Sequence, residues 1–368
     1  MSGATRLSAT LSFYIGRRFL LSFGVVLFAL AGVILLIDTI ELLRRGISRP
    51  DVTFQLILKM AALRLPDMTQ KVVPFAVLFG GMHTYWRLTR SHELVVTRAA
   101  GISIWQFLFP AIVLALLIGV FKITVFNPVA SAMLSRFDQM EGKFLLGRTN
   151  LLAVSKSGLW LRQADGNRQS VIHASRVTPY DMRLKEVIIF LYQGADKFIG
   201  RVDASEARLE DGFWYLQDAL LTAPGQTAVF KAEHKVKTNW TLDKIQESFA
   251  TPETMSFWDL PGFIDLLDAA GFSATRHRIY WYSLLAAPVL LCAMVLIAAS
   301  FSLRLARRGG VALIIASGVL FGFLLFFISD LVFALGLSSS IPALLAAWTP
   351  AGFSMLVGLF VLLHLEDG

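Results

Sequence analysis

A chain of 368 residues that is 55% hydrophobic and only 16% charged is too apolar for a water-soluble globule. Its formal charge of +8 comes without an aromatic-basic binding motif, and its arginines cluster beside apolar runs, so the charge points to membrane topology and away from nucleic acid. One cysteine, Cys292, excludes an internal disulfide and a multi-cysteine metal site; inside an apolar run it reads as a packed small residue.

In chain order, spanning helices are expected at residues 19–40, 72–86 (extended back to Met60 by amphipathic residues), 105–126, 281–303, 311–335 and 344–365, each near the roughly 20 residues a span needs. The first run is too long for a signal-peptide core and no small-residue cleavage site follows it, so it is expected to be retained. The fold class expected is an α-helical integral membrane protein with six transmembrane helices, three on each side of a large β insert.

Arg6, Arg17 and Arg18 precede helix 1, Arg87, Arg90 and Arg98 lie between helices 2 and 3, and Arg304, Arg307 and Arg308 lie between helices 4 and 5. The positive-inside rule makes that side cytoplasmic, with both termini, and puts the insert on the other side. Glu366 and Asp367 in the tail strain the rule, as do Arg44, Arg45, Arg49, Arg64 and Lys71 on the outer link. Outer positive charge therefore needs its own reason. Lys122 and Asp330, within or near the bilayer, are either cavity-facing functional residues or snorkelling ones. Gly24, Gly32, Gly318 and Gly322 in helices 1 and 5 are expected to permit close helix approach.

Between helices 2 and 3, "YWRLTRSHELVVTRAAGIS" predicts a short amphipathic helix at residues 91–101. Ser91 serves as N-cap, Glu93 complements the dipole, Leu88, Val95, Ala99 and Ile102 form one stripe, and Gly101 stops the helix. Such a helix either pads the membrane surface or docks into a partner. The insert, residues 130–255, has short runs rich in Val, Ile, Trp and Tyr, such as "EVIIFLYQ", with turns at Asp165-Gly166 and Asp211-Gly212. This predicts a β-sandwich or jelly-roll-like domain. After it, Phe257, Leu260, Ile264, Leu267 and Ala270 make an apolar stripe with Asp259, Asp265 and Asp268 elsewhere, a helix lying on the membrane surface or packed under the insert. Three regions are thus expected: 1–129, 130–255 and 256–368.

The series "SHELVVTRAAGIS", "SGLWLRQADG", "SLRLARRGG" and "LGLSSSIPALLAAWTP" resembles, in order and spacing over nearly the whole chain, the LptF/LptG (YjgP/YjgQ) family of lipopolysaccharide-export ABC transporter permeases. "DTIELLRRG", "GLWLR" and the helix 5 to 6 link lean to the LptG side, with the paralogous LptF side as the alternative. The resemblance implies a periplasmic β-jellyroll in an inner-membrane permease and a heterodimer with an LptF-like permease. It also implies an LptB ATPase dimer below and LptC and LptA bridging from the β-domain. Residues 91–101 would be the coupling helix, with Glu93 and Arg98 as polar docking contacts to LptB and Leu94, Val95 and Ala99 as apolar ones. An acidic residue that only stabilises its own helix is the plainer reading of Glu93.

By the same resemblance, Arg44 and Arg45 become the leading substrate contacts to lipid A phosphates, for which arginine's paired donors suit, with headgroup anchoring as the alternative. Asp38 and Lys122 join this substrate group, with Asp38 pairing with Arg45 or with Lys122. Helices 1 and 5 would form the lateral gates.

No phosphate-binding loop is present, since Gly142-Lys143 is followed by Phe144, and His83, His92 and His173 are scattered without catalytic spacing. The chain is therefore expected not to be an enzyme and to carry no cofactor, ATP and magnesium belonging to the partner ATPase. An ion-driven transporter and an envelope scaffold are the rival classes.

Overall fold

A computed structural model describes residues 9–46, 52–146, 151–155, 158–165, 168–178, 183–193, 197–210, 212–238, 251–269, 273–305 and 311–366. Arg6, Arg49, Gly166, Asp211, Ala270, Arg307, Arg308 and Asp367 lie outside the described residues. Two compact units result: a helical one (Met1–Leu145, Ser256–Trp258 and Arg278–Gly368) and a β-rich one (Leu146–Met255 and Asp259–His277).

The helical unit contains α1 (Ala9–Gly46), α2 (Phe54–Arg90), α3 (Glu93–Ala99), α4 (Ile104–Phe121) and α5 (Asn127–Glu141). It also contains most of α7 (Thr275–Leu305), and all of α8 (Val311–Leu337) and α9 (Ala343–Glu366). Ser103 and Gln106 start α4 with a reciprocal capping box. A π-helical turn, Lys122–Phe126, joins α4 to α5 without a break, and a second, Gly142–Leu146, ends α5. The third expected span therefore runs on as helix well past residue 130. Its polar extension stays helical because Ala130, Leu134 and Phe137 are buried on one side, the last two in a cluster with Leu42, Ile57 and Met60 of α1 and α2.

Among the described residues, five helices are long and apolar enough to cross a membrane: α1, the continuous α4–α5, α7, α8 and α9. The second expected span is not among them, because Lys59, Arg64, Asp67 and Lys71 occupy the first half of α2. Its length is nevertheless 37 residues, about 55 Å at 1.5 Å per residue, and α1 lies along it. α7 is the enclosed axis, with every residue from 291 to 300 buried. By contrast, α1 exposes Val25, Phe28, Leu36 and Ile40.

Two of the four glycines expected to admit neighbours do so. A Cβ on Gly318 would lie 2.7 Å from Met82 Sδ and one on Gly322 2.9 Å from Phe75, whereas Gly24 and Gly32 meet nothing within 4 Å. The tightest helix contact in this unit lies elsewhere: a Cβ on Gly119 of α4 would come 2.5 Å from Pro288 Cα of α7.

In the β-rich unit, seven strands form one antiparallel sheet in strict chain order: β1 (Leu151–Ser155), β2 (Gly158–Asp165), β3 (Arg168–Thr178), β4 (Arg183–Gln193), β5 (Lys197–Glu210), β6 (Phe213–Thr222) and β7 (Val229–Lys237). The jelly-roll expectation is corrected to a meander among the described residues: short hairpins pair each strand with the next and no crossover intervenes. Glu210 pairs with Phe213 across a two-residue turn in which Gly212 takes φ 78°, a conformation glycine adopts without steric cost. One buried ladder, Leu161, Ile172, Ile189 and Val202, crosses four strands in register. The sheet curls on itself, since Gln163 of β2 donates to Lys237 O (3.0 Å) and accepts from Thr238 Oγ1 (2.6 Å) at the far end of β7. α6 (Leu260–Ala269) lies against β1 and buries Leu260, Ile264 and Leu267, which favours the packed reading of that amphipathic stripe over a membrane-surface one.

Gly119→Val should cost about 1–3 kcal/mol through overpacking against Pro288, read as a lowered thermal midpoint of the detergent-purified chain. Gly32→Val, built into open space, should leave the midpoint unchanged.

Candidate functional site

α3 is shorter than the expected 91–101, and Ser91 does not cap it. Ser91 closes α2 instead, donating from Oγ to Arg87 O (3.0 Å) and to the Glu93 carboxylate (2.8 Å), while His92, at φ 61°, occupies the capping position without a side-chain bond. The stop at Gly101 holds. Its N–H donates to Arg98 O and that of Ile102 to Thr97 O, the paired bonds of a Schellman ending, with Gly101 at φ 83°.

The side chains divide into two sets. Tyr14 of α1 donates its hydroxyl to Glu93 (3.4 Å) and itself accepts from Arg18 (3.2 Å), so Glu93 faces the bundle. Leu94 is buried in the core beside Leu88 and Phe107 and therefore anchors the helix instead of offering a contact. Val95, Val96, Arg98 and Ala99 are exposed, Val96 at 68%. Sequence reasoning missed Val96 and Tyr14; the adjacent pair Val95-Val96 was the available signal, since one turn cannot bury Leu94 and both valines together.

At the other end of α1, the charged residues form a closed network. Asp38 pairs with Arg64 of α2 at 2.8 Å, not with Arg45 or Lys122 as expected, because Arg45 is held by Glu41 one turn before it (2.8 Å) and by Glu141 of α5 (3.3 Å). Arg44 also meets Glu41 (2.8 Å) but keeps 76% of its side chain exposed. The guanidinium groups of Arg44, Arg45 and Arg64 thus face the three carboxylates of Asp38, Glu41 and Glu141, so these charges are locally balanced. Arg64 further lies over the Phe137 ring at 5.2 Å. Lys122 opens the π turn with Asp67 as its electrostatic neighbour, and Asp67 is paired with Lys71 at 3.0 Å. Among the described residues no contact brings Lys122 to Arg44 or Arg45.

A third feature was not anticipated. Asn127, fully buried at the start of α5, donates to Gln70 of α2 and to Tyr280 of α7 (both 3.4 Å), while its oxygen accepts the Phe257 N–H at 2.8 Å. Trp258 donates its indole N–H to Thr124 O in the π turn at 3.3 Å. Two histidines named from the sequence lie apart: His83 meets Ser22 at 3.0 Å, and His173 packs on Trp160 at 4.2 Å. On β7, burial and then the charge of Lys231 lower His234 below its ordinary value.

A helical unit with a short exposed helix at one end, a balanced arginine network at the other and a meander sheet can now be set beside known proteins. The sequence model described as "Lipopolysaccharide export system permease LptF/LptG" matches residues 13–364. The chain belongs to this family. Its LptF/LptG relatives include the "Lipopolysaccharide export system permease protein LptG" of Escherichia coli strain K12, 25% identical over 367 residues, covering 95% of this chain and 97% of that protein. The LptG protein of Haemophilus influenzae is 24% identical over 355 residues, covering 93% and 95%. Family membership makes this a multi-pass membrane permease with a β-sheet unit.

Breaking the Asp38–Arg64 pair tests the network. Arg64→Met should lower stability by about 3 kcal/mol, the cost of leaving a mostly buried carboxylate unpaired. Adding Asp38→Asn should restore most of it, and additive losses in a thermal double-mutant cycle would show that the two residues do not interact.

Proposed function

We propose that this chain is the LptG-side permease subunit of an ATP-driven transporter that extracts lipopolysaccharide from the inner membrane. The observation that carries the reading is the family match over residues 13–364, with LptG-named relatives spanning more than nine-tenths of the chain. In this reading α2 is the sixth span, its charges satisfied by partners inside the bundle. The arginine-rich end with α3 faces the cytoplasm and the β-rich unit faces the periplasm. The organisation is residues 1–129, 130–255 and 256–368, the first residues of the middle region, through Glu141, continuing α5. ATP and magnesium are bound by an LptB dimer, and an LptF-like permease completes the cavity.

α3 is the docking element for the ATPase. Support comes from its division of labour: Leu94 and Glu93 hold it to α1 and α2, leaving Val95, Val96, Arg98 and Ala99 for a groove. A force on the outward face then passes through Leu94 and Tyr14 into the spanning helices. At the far end Arg44 and Arg45 receive lipid A phosphates, with Asp38 orienting the network and Lys122 acting from α4. The charge balance suits a release cycle, because a phosphate exchanges for Glu41 or Glu141 and each carboxylate can reclaim its arginine afterwards. LptC and LptA extend the sheet at a free edge, β1 or β7 among the described strands, by strand addition. Trp160, on β2 between β1 and β3, is not at an edge.

Val96→Asp should cut recovery of LptB with the tagged chain about tenfold, a loss of about 1.4 kcal/mol, while the permease pair still assembles. Unchanged recovery and ATPase coupling would remove α3 from the interface. Arg44→Gln with Arg45→Gln should reduce lipopolysaccharide photocrosslinking several-fold in an intact complex; normal crosslinking would return both residues to headgroup anchoring.

A further inference from the structure

A cavity of about 490 Å³ opens between α1 and α2 at the end of the bundle that carries α3. Its wall is largely apolar, with Val25, Val26, Phe79, Met82 and Ile315, and Arg18 and Arg87 also line it. The carboxylate that lines it, Glu93, is engaged by the hydroxyls of Ser91 and Tyr14. Arg18 reaches Tyr14 at 3.2 Å and lies over its ring at 5.2 Å, while no carboxylate pairs with Arg87 among the described residues.

Two guanidinium groups lining an otherwise apolar slot match an amphiphile with an anionic head. The fork of arginine fits phosphate oxygens in pairs, and the slot removes hydrocarbon from water or from a crowded leaflet. From Phe79 to Arg87 α2 rises about 12 Å, comparable with the roughly 15 Å of hydrocarbon in one leaflet. We infer that this cavity binds one anionic glycerophospholipid, its phosphate between Arg18 and Arg87 and one acyl chain along Val25 and Phe79. A free phosphate would leave the apolar wall bare, and the ammonium of a zwitterionic headgroup would oppose the two arginines. The lipid belongs to the leaflet on the arginine-rich side, which is the cytoplasmic one if the orientation proposed above holds.

The site is wired to α3. Arg18 donates to the Tyr14 hydroxyl that in turn donates to Glu93, so a phosphate that engages Arg18 competes for the donor that positions the residue tethering the docking helix to α1. Bound anionic lipid thereby sets how firmly α3 is seated.

The test uses the full-length chain purified in mild detergent and native mass spectrometry. Phosphatidylglycerol, phosphatidylcholine with the same acyl chains, and inorganic phosphate are titrated separately. Phosphatidylglycerol is expected to remain bound under activation that strips phosphatidylcholine, with at least tenfold greater occupancy. Arg18→Gln with Arg87→Gln should bring it down to the phosphatidylcholine level, and Val25→Trp, which fills the slot from an exposed wall position, should remove the adduct while the circular dichroism melt stays unchanged. Equal retention of the two lipids, an adduct that survives Val25→Trp, or binding of inorganic phosphate as tight as that of the lipid would overturn the inference. The readout needs neither export nor a partner subunit, so its failure is separable from failure of the transporter reading.

Discussion

The helical unit depends on keeping a polar helix inside an apolar bundle. An apolar interior supplies no water, so each buried polar group on α2 must find a partner in the protein or stand at a cost of several kcal/mol. The partners come from three neighbours: Asp38 of α1 for Arg64, Asn127 of α5 for Gln70, and Ser302 of α7 for the Met82 carbonyl, while Asp67 and Lys71 satisfy each other one turn apart. These bonds fix the azimuth of α2 against its neighbours, which apolar packing alone does loosely. They also explain why α2 lacks the composition of a spanning helix while contributing much of the core.

The position of α3 follows from that arrangement. Ser91 ends α2, and His92 in a left-handed conformation turns the chain, so the helix leaves at an angle set by two residues. Gly101 closes it with an equally local device before the capping box of α4 begins. Between these turns α3 is too short to be stable by itself. It is held by Leu94 in the core and by the Tyr14–Glu93 contact, and the same two attachments carry any load on its outer face into α1 and α2. The lipid slot shares Arg18, Tyr14 and Glu93 with this attachment, which joins membrane composition and docking in one set of contacts.

In the β-rich unit a meander buries one face only by curling. The irregular register at Leu191 and Tyr192 and the link from Gln163 to the end of β7 are the visible parts of that curl. Alternation places Leu161, Ile172, Ile189 and Val202 inward, and β1 and β7 stand at the two ends of the strand order.

The family, most of the membrane spans, the β character of the insert, the stop at Gly101 and the stripe of α6 were legible in the sequence, because each is a local signal: an apolar run of a given length, a turn residue, a period of three or four. Residues distant in the chain were not legible in the same way. That Asp38 meets Arg64 across 26 positions, that Glu93 turns inward to Tyr14, that Gly119 and not Gly32 admits a neighbour, and that the strands form a meander all depend on which helix or strand lies opposite. By itself the sequence determined most of the helix, strand and turn segments, though not the run of α5 past residue 130, and which of them are apolar enough to leave water. Only the tertiary structure decided the pairing of charges and the facing of each side chain, since a helix presents about four residues per turn and the neighbour it packs against selects among them.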